Sequence, residues 1–242
     1  MHDLNVCVVT GASMGIGKAV AEALLRSERP VINLDYRAPD WKHPLLHSVQ
    51  VDLSRDDEVR GCSQGIAKNF QVTALVNNAG ISRPGSIEDQ TAGDLDQVVA
   101  LHLRAPMILT QAFLPTLRQC ECGRVVNIAS RAALGMRNRL AYSTSKAGLI
   151  GMTRTMALEL GRDRITVNAV APGPIATPLF RKNHPDGSES ARKIIESIVM
   201  GRIGTPDDVA NAVLFFLAAS NGFVTGQVLY VCGGTTIGGS TV

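Results

Sequence analysis

The stretch that most limits how this 242-residue chain can fold is Thr10-Gly-Ala-Ser-Met-Gly-Ile-Gly17. Ahead of it runs Asn5-Val-Cys-Val-Val9, apolar and long enough for a buried strand. Behind it, from Lys18 to Ser27, Val20, Leu24 and Leu25 fall on one side of a helical pattern. Strand, glycine-rich turn and helix form the context in which backbone N–H groups approach a phosphate and the helix N-terminus adds partial positive charge. The spacing is G-x-x-x-G-x-G, and the Lys-Ser/Thr pair of a nucleoside-triphosphate loop is missing.

Val31-Ile-Asn-Leu-Asp35 reads as a second strand ending in an acid, eighteen residues after Gly17. In a dinucleotide fold an acid here accepts hydrogen bonds from the adenine ribose and repels a 2′-phosphate. Met14 offers that phosphate no positive charge, whereas Arg37 lies close and works the other way. The balance predicts NAD rather than NADP. Pro39, Trp41 and Pro44 leave little room for a helix before a third strand near Ser48–Val51. Asp52 then has two readings, a partner for the adenine amino group or, with Ser54, the cap of a helix over Asp56–Asn69.

Val72–Val76 is a fourth strand running into Asn77-Asn-Ala-Gly80, and Asp94–Arg118 is helical with interruptions expected at Pro106 and Pro115. A strand over Arg124–Ala129, a helix over Leu140–Leu160 and a strand over Arg164–Ala171 follow. Pro172-Gly-Pro-Ile-Ala-Thr-Pro178 must turn sharply, and Phe180–Ser190 reads as a polar, mobile flap. A short helix over Ala191–Val199, a helix over Asp207–Ala218 started by Pro206, a strand over Gln227–Val231 and a Gly-rich tail complete the chain. The alternation predicts one α/β domain over 1–242, a doubly wound, seven-stranded parallel sheet with helices on both faces and a substrate flap at about 178–200.

The candidate chemistry lies in Tyr142-Ser-Thr-Ser-Lys146. Tyr142 and Lys146 are four apart and share one helix face. An ammonium beside the phenol favours phenolate, and each unit of pKa shift is worth about 1.4 kcal/mol. A few units make Tyr142 a general acid/base near neutral pH. Ser130, just after the apolar run Val125–Ala129, can hydrogen-bond the same reacting oxygen.

A net charge of +3 gives no ground for a nucleic-acid or acidic-membrane partner. The five cysteines are scattered and include no C-x-x-C, which predicts reduced thiols and a cytoplasmic protein. No signal-peptide pattern and no apolar run of about 18 residues stands out, which predicts a soluble chain without a membrane span.

Taken together, Thr10–Gly17, Asp52, Asn77–Gly80, Ser130, Tyr142-x-x-x-Lys146, Asn168 and Pro172-Gly173 resemble the short-chain dehydrogenase/reductases over essentially the whole length. Within that family the chain looks most like the group of 3-oxoacyl-ACP reductases and secondary-alcohol dehydrogenases. The resemblance implies a Rossmann fold, NAD, no metal, a small alcohol or ketone substrate and a homotetramer. It gives Tyr142 the proton transfer, Lys146 the nicotinamide ribose and the phenol's acidity, and Ser130 the substrate oxygen. Gly11, Ser13, Met14, Gly15, Ile16 and Gly17 belong to the pyrophosphate turn, Asp35 to the ribose, and Asp52 and Leu53 to the adenine. Asn78, Ala79 and Gly80 border the adjoining ribose, and Pro172, Gly173, Ile175 and Thr177 line the nicotinamide.

Three departures stand out. His102 occupies a position where many members carry an asparagine that supports a water-linked proton path, so it either serves that path or only packs. The segment after Asp35 is short, and Cys232 replaces a frequent Asp. Arg131, Arg137 and Arg139 lie between Ser130 and Tyr142, where they either attract an acidic substrate or remain solvated. The alternatives to an NAD-dependent alcohol/ketone oxidoreductase are an NADPH-dependent 3-oxoacyl thioester reductase and a non-catalytic NAD sensor. The sensor should have lost Ser130, Tyr142 or Lys146, and this chain keeps all three.

Overall fold

A computed structural model describes residues 5–237. The apolar segments pair as seven strands: β1 (Asn5–Thr10), β2 (Val31–Asp35), β3 (Leu46–Gln50), β4 (Gln71–Asn77), β5 (Arg124–Ile128), β6 (Thr166–Pro172) and β7 (Val228–Val231). They lie in the order β3-β2-β1-β4-β5-β6-β7, every neighbour parallel. The central strands are buried along nearly all their length because both faces are covered, while the edge strands β3 and β7 are half exposed. Chain order reverses between β1 and β4, which opens a crevice at the carboxyl ends of those strands.

Eight helices connect the strands: α1 (Gly15–Arg26), α2 (Asp56–Asn69), α3 (Ala92–Val99), α4 (Ala105–Gln119), α5 (Leu140–Leu160), α6 (Pro178–Asn183), α7 (Glu189–Glu196) and α8 (Pro206–Leu217). α1 and α8 bury Val20, Leu24, Val213 and Phe216 against one face of the sheet. α2, α4 and α5 bury Val59, Leu109, Phe113 and Leu160 against the other. The loop between Asp35 and Leu46 carries no helix, as its prolines predict.

Several local expectations need correction. Residues Ala92–Gln119 form one rod, and its irregularity is a π-helical turn over Ala100–Arg104 that joins α3 to α4. Pro106 sits in the first turn of α4, where the missing N–H costs no helical bond, and Pro115 lies inside α4 without ending it. The rod holds an 18-residue window of mean hydropathy 1.3, long and apolar enough to cross a membrane, but half of that window is buried inside the protein. Asp52 does not cap α2. Residue Arg55 precedes the helix without a side-chain cap, and Asp52 Oδ1 accepts from the Ser54 N–H at 2.9 Å and its hydroxyl at 2.7 Å. The acid lies a full turn too early to reach the first N–H groups of α2. The flap segment is not irregular either. Thr177 caps α6 by accepting from the Phe180 N–H, and Ser188 caps α7 by accepting from the Ala191 N–H. The last residues of the Gly-rich tail, 238–242, lie outside the described residues.

Phe113 is fully buried at the centre of the α4 face, whereas Thr91 caps exposed α3 through a reciprocal pair with Asp94. Urea unfolding should show Phe113→Ala losing about 3–5 kcal/mol and Thr91→Ala losing about 1 kcal/mol. Equal losses would contradict the packing described for α4.

Candidate active site

The crevice is closed at its base by one hydroxyl. Thr10 Oγ1, at the end of β1, accepts from the N–H groups of Asn78 and Ala79, both at 2.9 Å. Asn78 Nδ2 donates in return to the carbonyls of Thr10 and Gly11. The glycine turn therefore has a fixed floor. Gly17 is required by contact, since a methyl group there would overlap the Gly11 carbonyl. α1 begins at Gly15, and Met14 before it supplies no side-chain cap; its first turn holds no acid. The leading N–H groups, including that of Ile16, are left for an anion.

Asp35 sits at the rim of this turn. Its carboxylate accepts from the N–H of Ser13 at 3.0 Å and that of Arg37 at 3.0 Å. The buried Ser13 hydroxyl bonds Arg37 O and accepts from Asn33 Nδ2, so the rim is rigid. Asp52 lies half-buried after β3, whereas the Leu53 side chain turns into the core and offers a ligand no side-chain contact. An uncapped helix start, glycines in contact and a carboxylate at the second strand fit a dinucleotide.

Lys146, Tyr142, Ser130 and His102 converge beyond Gly80. Lys146 is 4% exposed, and its Nζ donates to the Ile128 carbonyl at the end of β5 at 2.7 Å. A methyl group on Gly80 would lie 2.9 Å from His102 Nε2 and 3.7 Å from Lys146 Nζ. The Ser130 hydroxyl accepts from the Ala132 N–H and lies close enough to the Tyr142 phenol to ease its ionisation. Burial pulls the Lys146 amine from 10.5 down to about 7.

The phenol's acidity needs correction. Burial raises the Tyr142 pKa above its ordinary 10.0, against the smaller lowering effects of the Ser130 hydrogen bond and the Arg139 charge. The expected depression by Lys146 is not what this arrangement produces. Its Nζ is aimed at Ile128 O and stands 5.7 Å from the ring centroid, and the same burial drains its own charge.

His102 stands on the π-helical turn, 1% exposed. Its Nε2 accepts from the Ile81 N–H at 3.0 Å, which leaves the proton on Nδ1. Nδ1 is 2.8 Å from Ser145 Oγ, and Ser145 donates onward to the Tyr142 carbonyl at 2.8 Å. Burial, and then the Lys146 charge, push its pKa down to about 2. Both ring nitrogens of a neutral imidazole are thus occupied.

The turn after β6 faces the glycine turn. A methyl group on Gly15 would meet Thr177 Cγ2 at 3.5 Å. Pro172 ends β6, and Gly173 packs directly on Cys232, so a side chain at 173 would collide with it. Ile175 is buried in the core beside α8, with its backbone left to the turn. Cys232 therefore bears on the shape of this turn, beyond any part in subunit packing.

Thr10, Ser145 and Asn127 were not singled out in the sequence, yet they hold the site together. Asn127 accepts from Asn77 Nδ2 at 2.8 Å and donates to Thr153 on α5 at 2.9 Å. The single signal for them is position, at strand ends or one turn from Tyr142.

Comparison with known proteins agrees with this geometry. The family model described as Enoyl-(Acyl carrier protein) reductase matches residues 11–236. The chain is 37% identical to (2S)-[(R)-hydroxy(phenyl)methyl]succinyl-CoA dehydrogenase subunit BbsD of Thauera aromatica, over 96% of this chain and 97% of that one. It is 33% identical to the 3-oxoacyl-[acyl-carrier-protein] reductase FabG of Thermotoga maritima, over 96% and 98%. Ligand-free aldohexose dehydrogenase of Thermoplasma acidophilum superposes with a TM-score of 0.91 at 33% identity, covering 100% of this chain and 97% of that one. A 4-hydroxyisoleucine dehydrogenase complexed with NADH superposes with a TM-score of 0.90 at 29% identity, covering 97% and 99%. The chain is an oxidoreductase with a site fitted to a pyridine nucleotide, and it belongs to the short-chain dehydrogenase/reductase family.

Proposed function

We propose that the protein interconverts a secondary alcohol and a ketone with NAD(H). The observation that carries this reading is the Lys146 amine, buried beside Gly80 and 5.7 Å from the Tyr142 ring, with Ser130 near the same phenol. When bound, the nicotinamide supplies the two-electron hydride acceptor or donor. Gly11, Ser13, Met14 and Ile16 hold its pyrophosphate, Asp35 the adenine-side ribose, and Asp52 the adenine. Asn78 to Gly80 and Lys146 border the sugars, and Pro172 to Thr177 form the wall on the nicotinamide side. Ser130 holds the substrate oxygen while Tyr142 Oη takes its proton in oxidation and returns it in reduction. The two short helices over 178–196 close over the substrate and exclude water. Exposed apolar residues on α4 and α5, Met107 and Leu158 among them, support a homotetramer. Light scattering that gives the mass of a single chain would contradict that assembly.

The raised phenol sharpens the role of charge. Lys146, poised near neutrality, lowers the phenol's pKa only in its protonated state. Tyr142→Phe should cut turnover about 10²–10⁴-fold with cofactor binding unchanged by fluorescence titration. Retained turnover would remove Tyr142 from the role of proton carrier.

Asp35 favours NAD, because its carboxylate is fixed at the rim where a 2′-phosphate would lie. Titration should give tighter binding of NADH than NADPH, and Asp35→Ala should narrow the gap. The second reading, an NADPH-dependent thioester reductase, draws on the exposed Arg37 beside Asp35 and on the FabG relatives. Tighter NADPH binding by the unaltered protein would favour it.

His102 is read as a positioning residue: it fixes α5 to the loop after Gly80 through Ser145 and Ile81. Its folded pKa of about 2 lies below the ordinary 6.5, so the unfolded chain binds the extra proton between those values. Stability is then lost as pH falls below 6.5, by up to about 1.4 kcal/mol per pH unit from this group. His102→Asn, whose amide can both accept from Ile81 and donate to Ser145, should keep the activity profile and make the acid loss shallower in urea unfolding. An unchanged slope would show that the imidazole is charged in the folded protein.

A further inference from the structure

The segment between Ser130 and Tyr142 carries three arginines and no acid. Among the described residues, none of the three forms an ion pair, whereas Arg55, Arg104, Arg118 and Arg202 all do. Their settings differ. Arg137 is exposed, while Arg131 and Arg139 are half-buried. Arg139 is the residue from which α5 starts, three before Tyr142. One helical turn separates it from Tyr142 along the chain.

The position of Arg139 is built rather than incidental. Asn138 before it takes a left-handed backbone, φ 58°, which turns the chain into the helix. The Asn138 carbonyl accepts from the Gly85 N–H at 3.1 Å and from Arg139 Nη1 at 2.8 Å. Gly85 also bridges to Arg139 in parallel register, and Gln90 Oε1 accepts from the Ala141 N–H at 3.1 Å. The segment 85–90 therefore clamps the start of α5. One of the five guanidinium N–H donors is used by Asn138, and the remaining donors make no hydrogen bond among the described residues.

We propose that Arg139 is a specificity residue that binds a carboxylate of the substrate, so that the preferred secondary alcohol is a hydroxy acid whose carboxylate lies within a few atoms of the carbinol carbon. This rests on the alcohol/ketone reading and adds the substrate's charge to it. A planar guanidinium with free donors matches a carboxylate in two-point contact. Its place at the start of α5, three residues before Tyr142, puts an anion held there on the same turn as the phenol, not at the far end of a long carrier. A remote phosphate of a thioester carrier would reach the exposed Arg137 instead.

The test compares hydroxy acids of three to six carbons with their amides, in the NAD-loaded protein. The unaltered chain should show kcat/KM at least about tenfold higher for the acid of one pair. Arg139→Gln should collapse that ratio toward one and Arg139→Lys should restore part of it, while Arg137→Gln leaves it intact. Using a ratio cancels any change in the phenol's titration that both substrates share. A ratio near one in the unaltered protein, or one unmoved by Arg139→Gln, overturns the proposal. So does a ratio that collapses only in Arg137→Gln, the result expected for a remote phosphate. Binding is read separately by isothermal titration of succinate and succinamide into the NADH-loaded protein. If no pair is turned over, the alcohol/ketone reading is tested separately on neutral secondary alcohols and ketones, and titration still decides the proposal. Tighter succinate binding lost in Arg139→Gln supports it, and equal binding of acid and amide overturns it.

Discussion

The site depends on one buried contact, the donation from Lys146 Nζ to the Ile128 carbonyl. It fixes the face of α5 against the end of β5, two residues before Ser130. With that face set, Tyr142 one turn earlier must point to the same place. An amine taken out of water this fully survives because a carbonyl receives it and because it gives up much of its charge. Deeper along α5, Thr153 accepts from Asn127, whose partner Asn77 ends β4. A single helix is thus tied to two neighbouring strand ends, and the two strand ends to the floor of the crevice through Asn78 and Thr10.

Burial acts on Lys146 and Tyr142 in opposite directions. It lowers the lysine and raises the tyrosine, which brings the two less far apart in charge than free side chains would be. A phenol in this state holds its proton firmly. Positive charge is needed to release it: Lys146 in its protonated state and Arg139 can supply it, and a bound oxidised nicotinamide would add to it. His102 is not among them, because its imidazole is neutral and spoken for on both nitrogens.

Much of this was legible in the sequence. The glycine turn, the strand alternation and the helix over Leu140–Leu160 follow from spacing and apolar pattern, and the structure has that helix at the same bounds. Ser130, Tyr142 and Lys146 meet as their spacing and the family resemblance imply. What was not legible depends on tertiary contacts. The π-helical turn has no local signal, and the prolines drew attention to the wrong residues. Thr10 is one hydroxyl at a strand end, and its two acceptor bonds exist only once β4 lies beside β1. The shift of the phenol reflects burial, which no i,i+4 rule reports. Asp52 looked like a cap because its residue type suits one, but it lies a turn too far from α2.

The central claim is that the Tyr142 phenol is held protonated by burial and released by positive charge at the nicotinamide site. The chain has only three tyrosines, so ultraviolet difference titration of the protein against Tyr142→Phe isolates this phenol. Without cofactor it should ionise above the ordinary tyrosine range, and saturation with NAD⁺ should move its titration down toward neutral pH. A phenol that titrates at the same pH with and without NAD⁺ would contradict the account.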